Sequence, residues 1–236
     1  MLARIVEAVA PAPEDAIVEI GPGEGVLTRA LLARVPHLTA IEIDRDLAAQ
    51  LAGEFPAARL TLHCADALEF DFASLAPGTR LVGNLPYNIS TPLLFRVAQH
   101  AERVRDAHFM LQREVVDRMV AQPSTPDYGR LSVMLQVRFR MQRLFDVSRG
   151  AFRPSPKVES ALVRLLPLRD AQVCDEQVFA AVVRGAFSAR RKTLRNALRL
   201  GTEDFEALQI DPMLRPENLS PADYVRVALR VASRGS

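Results

Sequence analysis

Lysine is nearly missing from this chain. Of its 30 basic residues only Lys157 and Lys192 are lysines, and the others are arginine. Arginine forks match phosphate geometry and stack on bases, so the bias fits a polyanionic partner as well as an arginine-rich coding background. Cysteine is as scarce: Cys64 and Cys174 are far apart in sequence and form neither a disulfide framework nor a metal-type spacing. His37, His63, His100 and His108 also lack ligand spacing, so no metal site is expected. No apolar run reaches the length of a membrane span. Residues 1–9 are too short and too mixed for a signal peptide. They read instead as an amphipathic helix with Leu2, Ile5, Val6 and Val9 on one side. These absences argue against a membrane protein, a secreted disulfide scaffold and a zinc enzyme. The expectation is a cytoplasmic protein, monomeric, with no membrane partner.

What is present is ample for a core. The chain has 236 residues, 49% hydrophobic and 25% charged, with a net charge of +2. That suffices for one large domain, or one medium and one small. Short apolar runs at 16–20, 38–43, 60–64, 80–83 and 107–112 read as strands, and 26–35 and 47–55 as helices. Strands alternating with helices imply an α/β fold with a doubly wound, mostly parallel sheet. Residues 131–139, 144–147 and 160–166 lie closer together, and some of them suit antiparallel strands at one sheet edge. Residues 167–170 look like a boundary. Beyond it, 178–189, 193–200, 203–208 and 221–231 read as helices, the last with Ser220 as N-cap and Pro221 in the first turn. The expected domains are therefore 1–168 and a small all-helical 169–236. Residues 123–129 read as a mobile loop.

Glu19-Ile20-Gly21-Pro22-Gly23-Glu24-Gly25 follows a strand and opens a helix. Glycines there let the backbone turn tightly and approach a ligand. A dinucleotide fingerprint needs a third glycine where this chain has Val26, and Glu19 beside the loop would repel a pyrophosphate. The same carboxylate would attract an ammonium or sulfonium group, which favours a cationic amino-acid cofactor over NAD. Glu42, at the end of the second strand beside Ile43, sits where an acid accepts hydrogen bonds from a ribose diol. Asp66, beside Ala67 after the third strand, is placed to accept from an adenine amine. Each acid taken alone could be a helix cap; three at successive strand ends beside a glycine loop form a constellation.

Gly83-Asn84-Leu85-Pro86-Tyr87-Asn88 follows the fourth strand. A base's exocyclic amine is a poor nucleophile because its lone pair is shared with the ring. Acceptors aimed at its two hydrogens, here the Asn84 side-chain oxygen and the Leu85 carbonyl, favour the pyramidal amine that must attack. Pro86 stiffens the turn, and Tyr87 offers a face for a base to stack on.

At this point the chain resembles the small-subunit ribosomal RNA adenine N6,N6-dimethyltransferases, relatives of the macrolide-resistance methyltransferases. The resemblance rests on residues 19–25, 83–90, 109–115, 128–133, 151–160 and 190–198, in one order along nearly the whole chain. It implies a methyltransferase-type (Rossmann-like) sheet followed by a small helical domain, with S-adenosyl-L-methionine as cofactor. The implied reaction is two successive methylations of N6 on two adjacent adenines in a small-subunit ribosomal RNA hairpin, within an immature ribosomal subunit. Glu42 and Asp66 are assigned by it to the cofactor ribose and adenine, Asn84 to the target amine, and Tyr87 and Phe152 to the target base. Gly21 and Gly23 would approach the methionine part. The family's upstream basic segment, ending in a Gln-Asn-Phe-Leu type motif, helps cover the cofactor; here Met1 falls within the helix that follows it, and Ala65 stands where glycine is frequent.

RNA contact is expected from two basic stretches. Arg184, Arg190, Arg191, Lys192, Arg195 and Arg199 occur with no acid among them, and six basic residues between Arg138 and Lys157, including Arg153, face one acid, Asp146. The competing readings are an RNA-binding assembly factor with weak or no catalysis, and macrolide-resistance methylation of large-subunit RNA.

Overall fold

The computed structural model describes residues 1–151, 158–169, 175–198 and 200–234. Seven strands form one sheet in the order β3-β2-β1-β4-β5-β7-β6. They are β1 (Ile17–Ile20), β2 (Leu38–Glu42), β3 (Leu60–Cys64), β4 (Thr79–Asn84), β5 (Val104–Gln112), β6 (Phe139–Val147) and β7 (Ser160–Pro167). β1 pairs in parallel with both β2 and β4, β2 with β3, and β4 with β5, whereas β7 runs antiparallel to β5. Every residue of β1 is buried, as both faces of a helix-flanked parallel strand must be. The flanking helices are α1 (Leu2–Val9), α2 (Val26–Leu32), α3 (Arg45–Glu54), α4 (Ser90–Gln99) and α5 (Arg113–Val120). On α1, Ile5, Val6 and Val9 are buried, the apolar side expected from their spacing.

The strand order reverses direction at β1, which has β2 on one side and β4 on the other. The carboxyl end of the strands beside such a reversal is where α/β sheets bind ligands. The opposite end is closed by a buried arginine. Arg80, its side chain 5% exposed, donates to Asp106 through Nε and Nη2 at 2.9 Å each, to Asp15 at 2.6 Å and to the Val9 carbonyl at 2.6 Å. It thus fastens the end of α1 to the start of β4.

The chain divides into two compact units. One comprises residues 1–116 and 140–167, and the other 117–139 and 168–236. A cut at 168/169 alone therefore does not follow the packing, because 117–139 joins the helical unit. The reason is α6 (Arg130–Gln136), a helix where the alternation over 131–139 suggests a strand. Its Val133, with Tyr128, is buried in one core with α7 (Glu176–Ser188), α9 (Thr202–Leu208) and α10 (Pro221–Ala232). The short α8 (Leu194–Leu198) adds Leu194 to that core. Residues 123–129 are also not a free loop. The Ser124 N–H donates to the Glu217 carbonyl at 2.8 Å, and the fully buried Tyr128 donates its hydroxyl to the Leu219 carbonyl at 2.8 Å.

Candidate active site

Three loops meet at the carboxyl edge of the sheet. The glycine loop leaves β1 with Gly21 and Gly23 at φ of 67° and 56°, the left-handed region that costs glycine no Cβ clash. Among the described residues, apart from its chain neighbours, nothing lies within 4 Å of where a Gly23 Cβ would stand, so the loop has open space there. Glu42, only 6% exposed, anchors it: Oε2 accepts from the Gly23 N–H at 3.0 Å, and Oε1 from the Asp44 N–H at 3.0 Å. Each carboxylate oxygen keeps acceptor capacity for a further donor. Ile43, next along, is 65% exposed and presents an apolar side chain at the rim.

Asp66 is half-buried after β3, where its Oδ1 accepts from the Leu68 N–H at 2.8 Å. Ala67 beside it is buried. The Ala65 N–H donates to the Glu42 carbonyl at 2.9 Å, which ties the β3 loop to the end of β2.

Glu19 is placed differently from the expectation that its charge faces a ligand. Its side chain turns inward, the residue is 1% exposed, and Oε2 accepts the Thr28 hydroxyl at 2.7 Å. Burial pushes its carboxyl up to about 7; the Thr28 bond works against the rise and the neighbouring Glu42 charge adds to it. Glu19 thus supports the start of α2 from beneath the loop.

The third loop follows β4. Asn84 is exposed at the strand's last position, while Leu85 is 1% exposed and its N–H donates to the Met110 carbonyl at 3.1 Å. A Cβ on Gly21 would lie 3.9 Å from the Asn84 carbonyl oxygen and 3.9 Å from Pro86 Cδ. The glycine loop and the Asn84–Tyr87 segment are therefore neighbours. Tyr87 is half-buried; its hydroxyl is 3.0 Å from Ser160 Oγ, and its carbonyl accepts the Ser90 hydroxyl at 3.2 Å. Sequence reasoning missed Ser160 and Ser90, since neither hydroxyl carries a local signal of its partner. Phe152, Arg153 and Lys157 lie outside the described residues.

A family profile described as ribosomal RNA adenine dimethylase matches residues 1–233. The chain belongs to this family. The ribosomal RNA small subunit methyltransferase A of Thiobacillus denitrificans is 58% identical over 234 residues, covering 98% of this chain and 92% of its own. That of Aromatoleum aromaticum is 57% identical over 238 residues, covering 99% and 90%. A solved dimethyladenosine transferase from Plasmodium falciparum shares the fold, with a TM-score of 0.86 at 24% identity over 99% of this chain and 96% of its own. The 23S rRNA methyltransferase ErmE aligns with a TM-score of 0.69 at 25% identity, over 98% and 96%.

The basic residues of the helical unit divide into two groups. Arg190 is committed internally: Nε donates to Glu217 at 2.6 Å and Nη2 to the Pro126 carbonyl at 2.8 Å. Arg191, Lys192 and Arg195 are exposed and, among the described residues, pair with no carboxylate. Glu217 thus offsets the charge of Arg190.

Proposed function

We propose that this chain uses S-adenosyl-L-methionine to dimethylate N6 of two adjacent adenines in a small-subunit ribosomal RNA hairpin, acting as a cytoplasmic monomer on the immature subunit. The observation that carries the reading is the junction of an acid-anchored glycine loop with the Asn84–Tyr87 segment at one sheet edge. The relatives' names concern the same RNA and the same type of reaction.

The residues fit that cofactor. The loop offers open backbone beside the Glu42 carboxylate, which suits a cationic amino acid better than a pyrophosphate. Glu42 would take the ribose diol on its remaining lone pairs, Asp66 the adenine amine, and Ile43 and Ala67 the flat faces beside it. Gly21 and Gly23 would admit the methionine part. When bound, the cofactor supplies an electrophilic methyl group. Asn84 Oδ1 and the Leu85 carbonyl accept from the two hydrogens of the target amine and draw it toward a pyramidal nitrogen, an interaction that strengthens toward the transition state. Tyr87, with Phe152, holds the base by stacking, an interaction worth roughly 1–3 kcal/mol. Arg191, Lys192 and Arg195, with Arg153 and Lys157, would take phosphates, which dominate affinity without reading sequence.

The test is transfer of tritiated methyl groups into immature small subunits, followed by nucleoside analysis. Label in N6,N6-dimethyladenosine of the small-subunit RNA supports the proposal. Subunit binding without transfer, or label confined to large-subunit RNA, overturns it.

A further inference from the structure

Tyr87 is held at both ends. Its backbone carbonyl accepts the Ser90 hydroxyl, and its own hydroxyl lies 3.0 Å from Ser160 Oγ. Ser160 is 1% exposed and opens β7, where it pairs with Gln112 at the end of β5. Asn84, in turn, pairs with Met110 of the same β5 strand. The ring that would stack on the base and the amide that would meet its amine are therefore referenced to one strand.

Tyrosine χ2 is a broad torsion that packing alone leaves loosely set. An anchor at the hydroxyl fixes χ1 because it pins the far end of the side chain. The hydrogen and the in-plane lone pair of a phenol both lie near the ring plane, so a directed bond with Ser160, in either sense, also sets that plane. We infer that Ser160 is a positioning residue for the methyl-transfer reaction, acting by aligning the Tyr87 ring for the target base. The inference rests on the function proposed above, in which Tyr87 stacks on adenine.

A double-mutant cycle under single turnover tests it, with immature small subunits as substrate and Tyr87→Phe, Ser160→Ala and their combination as variants. Each single variant should slow transfer by roughly 2- to 12-fold, the range of one neutral hydrogen bond. The double variant should be no slower than the slower single one, because both changes remove the same bond. Multiplying effects would mean that Ser160 acts only through strand packing and would overturn the inference. A second readout does not depend on activity. The chain has no tryptophan and three tyrosines. Tyr128 and Tyr224 are fully buried, their hydroxyls donated to backbone carbonyls. The near-ultraviolet dichroism that Tyr87→Phe removes should also fall in Ser160→Ala, as the ring loses its single orientation. An unchanged spectrum counts against the inference. Ser160→Cys, which nearly keeps the buried volume while weakening the bond, carries the same test should the alanine variant not fold. The underlying reading fails separately: the wild-type protein would then transfer nothing to adenine, or Asn84→Ala would transfer at the wild-type rate. If both behave as the reading requires and the cycle is multiplicative, only the role of Ser160 is refuted.

Discussion

Glu42 anchors the glycine loop through Gly23, and the proposed function gives the remaining acceptor capacity of the same carboxylate to the cofactor ribose. Glu42→Ala should weaken S-adenosylmethionine binding by about 1.5–3 kcal/mol, the value of a hydrogen bond to a charged group, while the sheet stays folded. Calorimetry is the check; unchanged affinity in a folded variant would remove Glu42 from the site. Glu19 is legible as an acid beside the loop, but its direction is not, because its inward turn depends on Thr28, nine positions later. That burial has a pH signature. A carboxyl with a folded pKa of about 7 against a usual 4.5 holds its proton more tightly in the folded state. Its contribution to stability is thus full at acid pH and is lost as pH rises from about 4.5 to about 7. Glu19→Gln keeps an acceptor for Thr28 and should remove a slope of up to about 1.4 kcal/mol per pH unit in that window. Denaturant midpoints measured across it decide the matter; equal slopes in both proteins would show that Glu19 does not titrate there.

At the scale of elements, the parallel strands are readable because each is an apolar run between helical patterns; β3 spans the residues its apolar run marks out. The stretch around 131–139 misleads because Leu131, Val133, Leu135 and Val137 alternate as a strand would, yet Val133 and Leu135 are buried on a helix. Tertiary burial in the helical unit's core outweighs that alternation. No local pattern discloses the clamp on Arg80 either, because its partners Asp15 and Asp106 lie 65 and 26 positions away. Removing one member of a buried ion network leaves charges without partners, at a cost of about 3–5 kcal/mol. Arg105 still reaches Asp15 and Arg164 still reaches Asp106, so Arg80→Met should fall near the lower end of that range. Urea denaturation would show it, and a loss below about 1 kcal/mol would contradict a structural clamp.

For the whole molecule, the proposed function assigns RNA affinity and chemistry to different residues. Charge reversal at Arg191 and Lys192 should weaken binding to immature subunits and leave cofactor binding unchanged. It should also flatten the salt dependence by roughly 0.7–0.9 in log–log slope for each phosphate that is no longer neutralised. A salt series with wild-type affinity would reduce this face to a solvated surface. Asn84 has the opposite character, since it is proposed to act on the amine in the transition state and to contribute little to holding the RNA. The most direct measurement is therefore single-turnover methyl transfer by Asn84→Ala, run beside a pull-down of immature small subunits. The expected result is a rate lowered on the order of 100- to 1,000-fold, as for loss of one well-placed polar group at a reacting centre, with subunit capture preserved. Transfer by Asn84→Ala at the wild-type rate would contradict the proposed role of the amide.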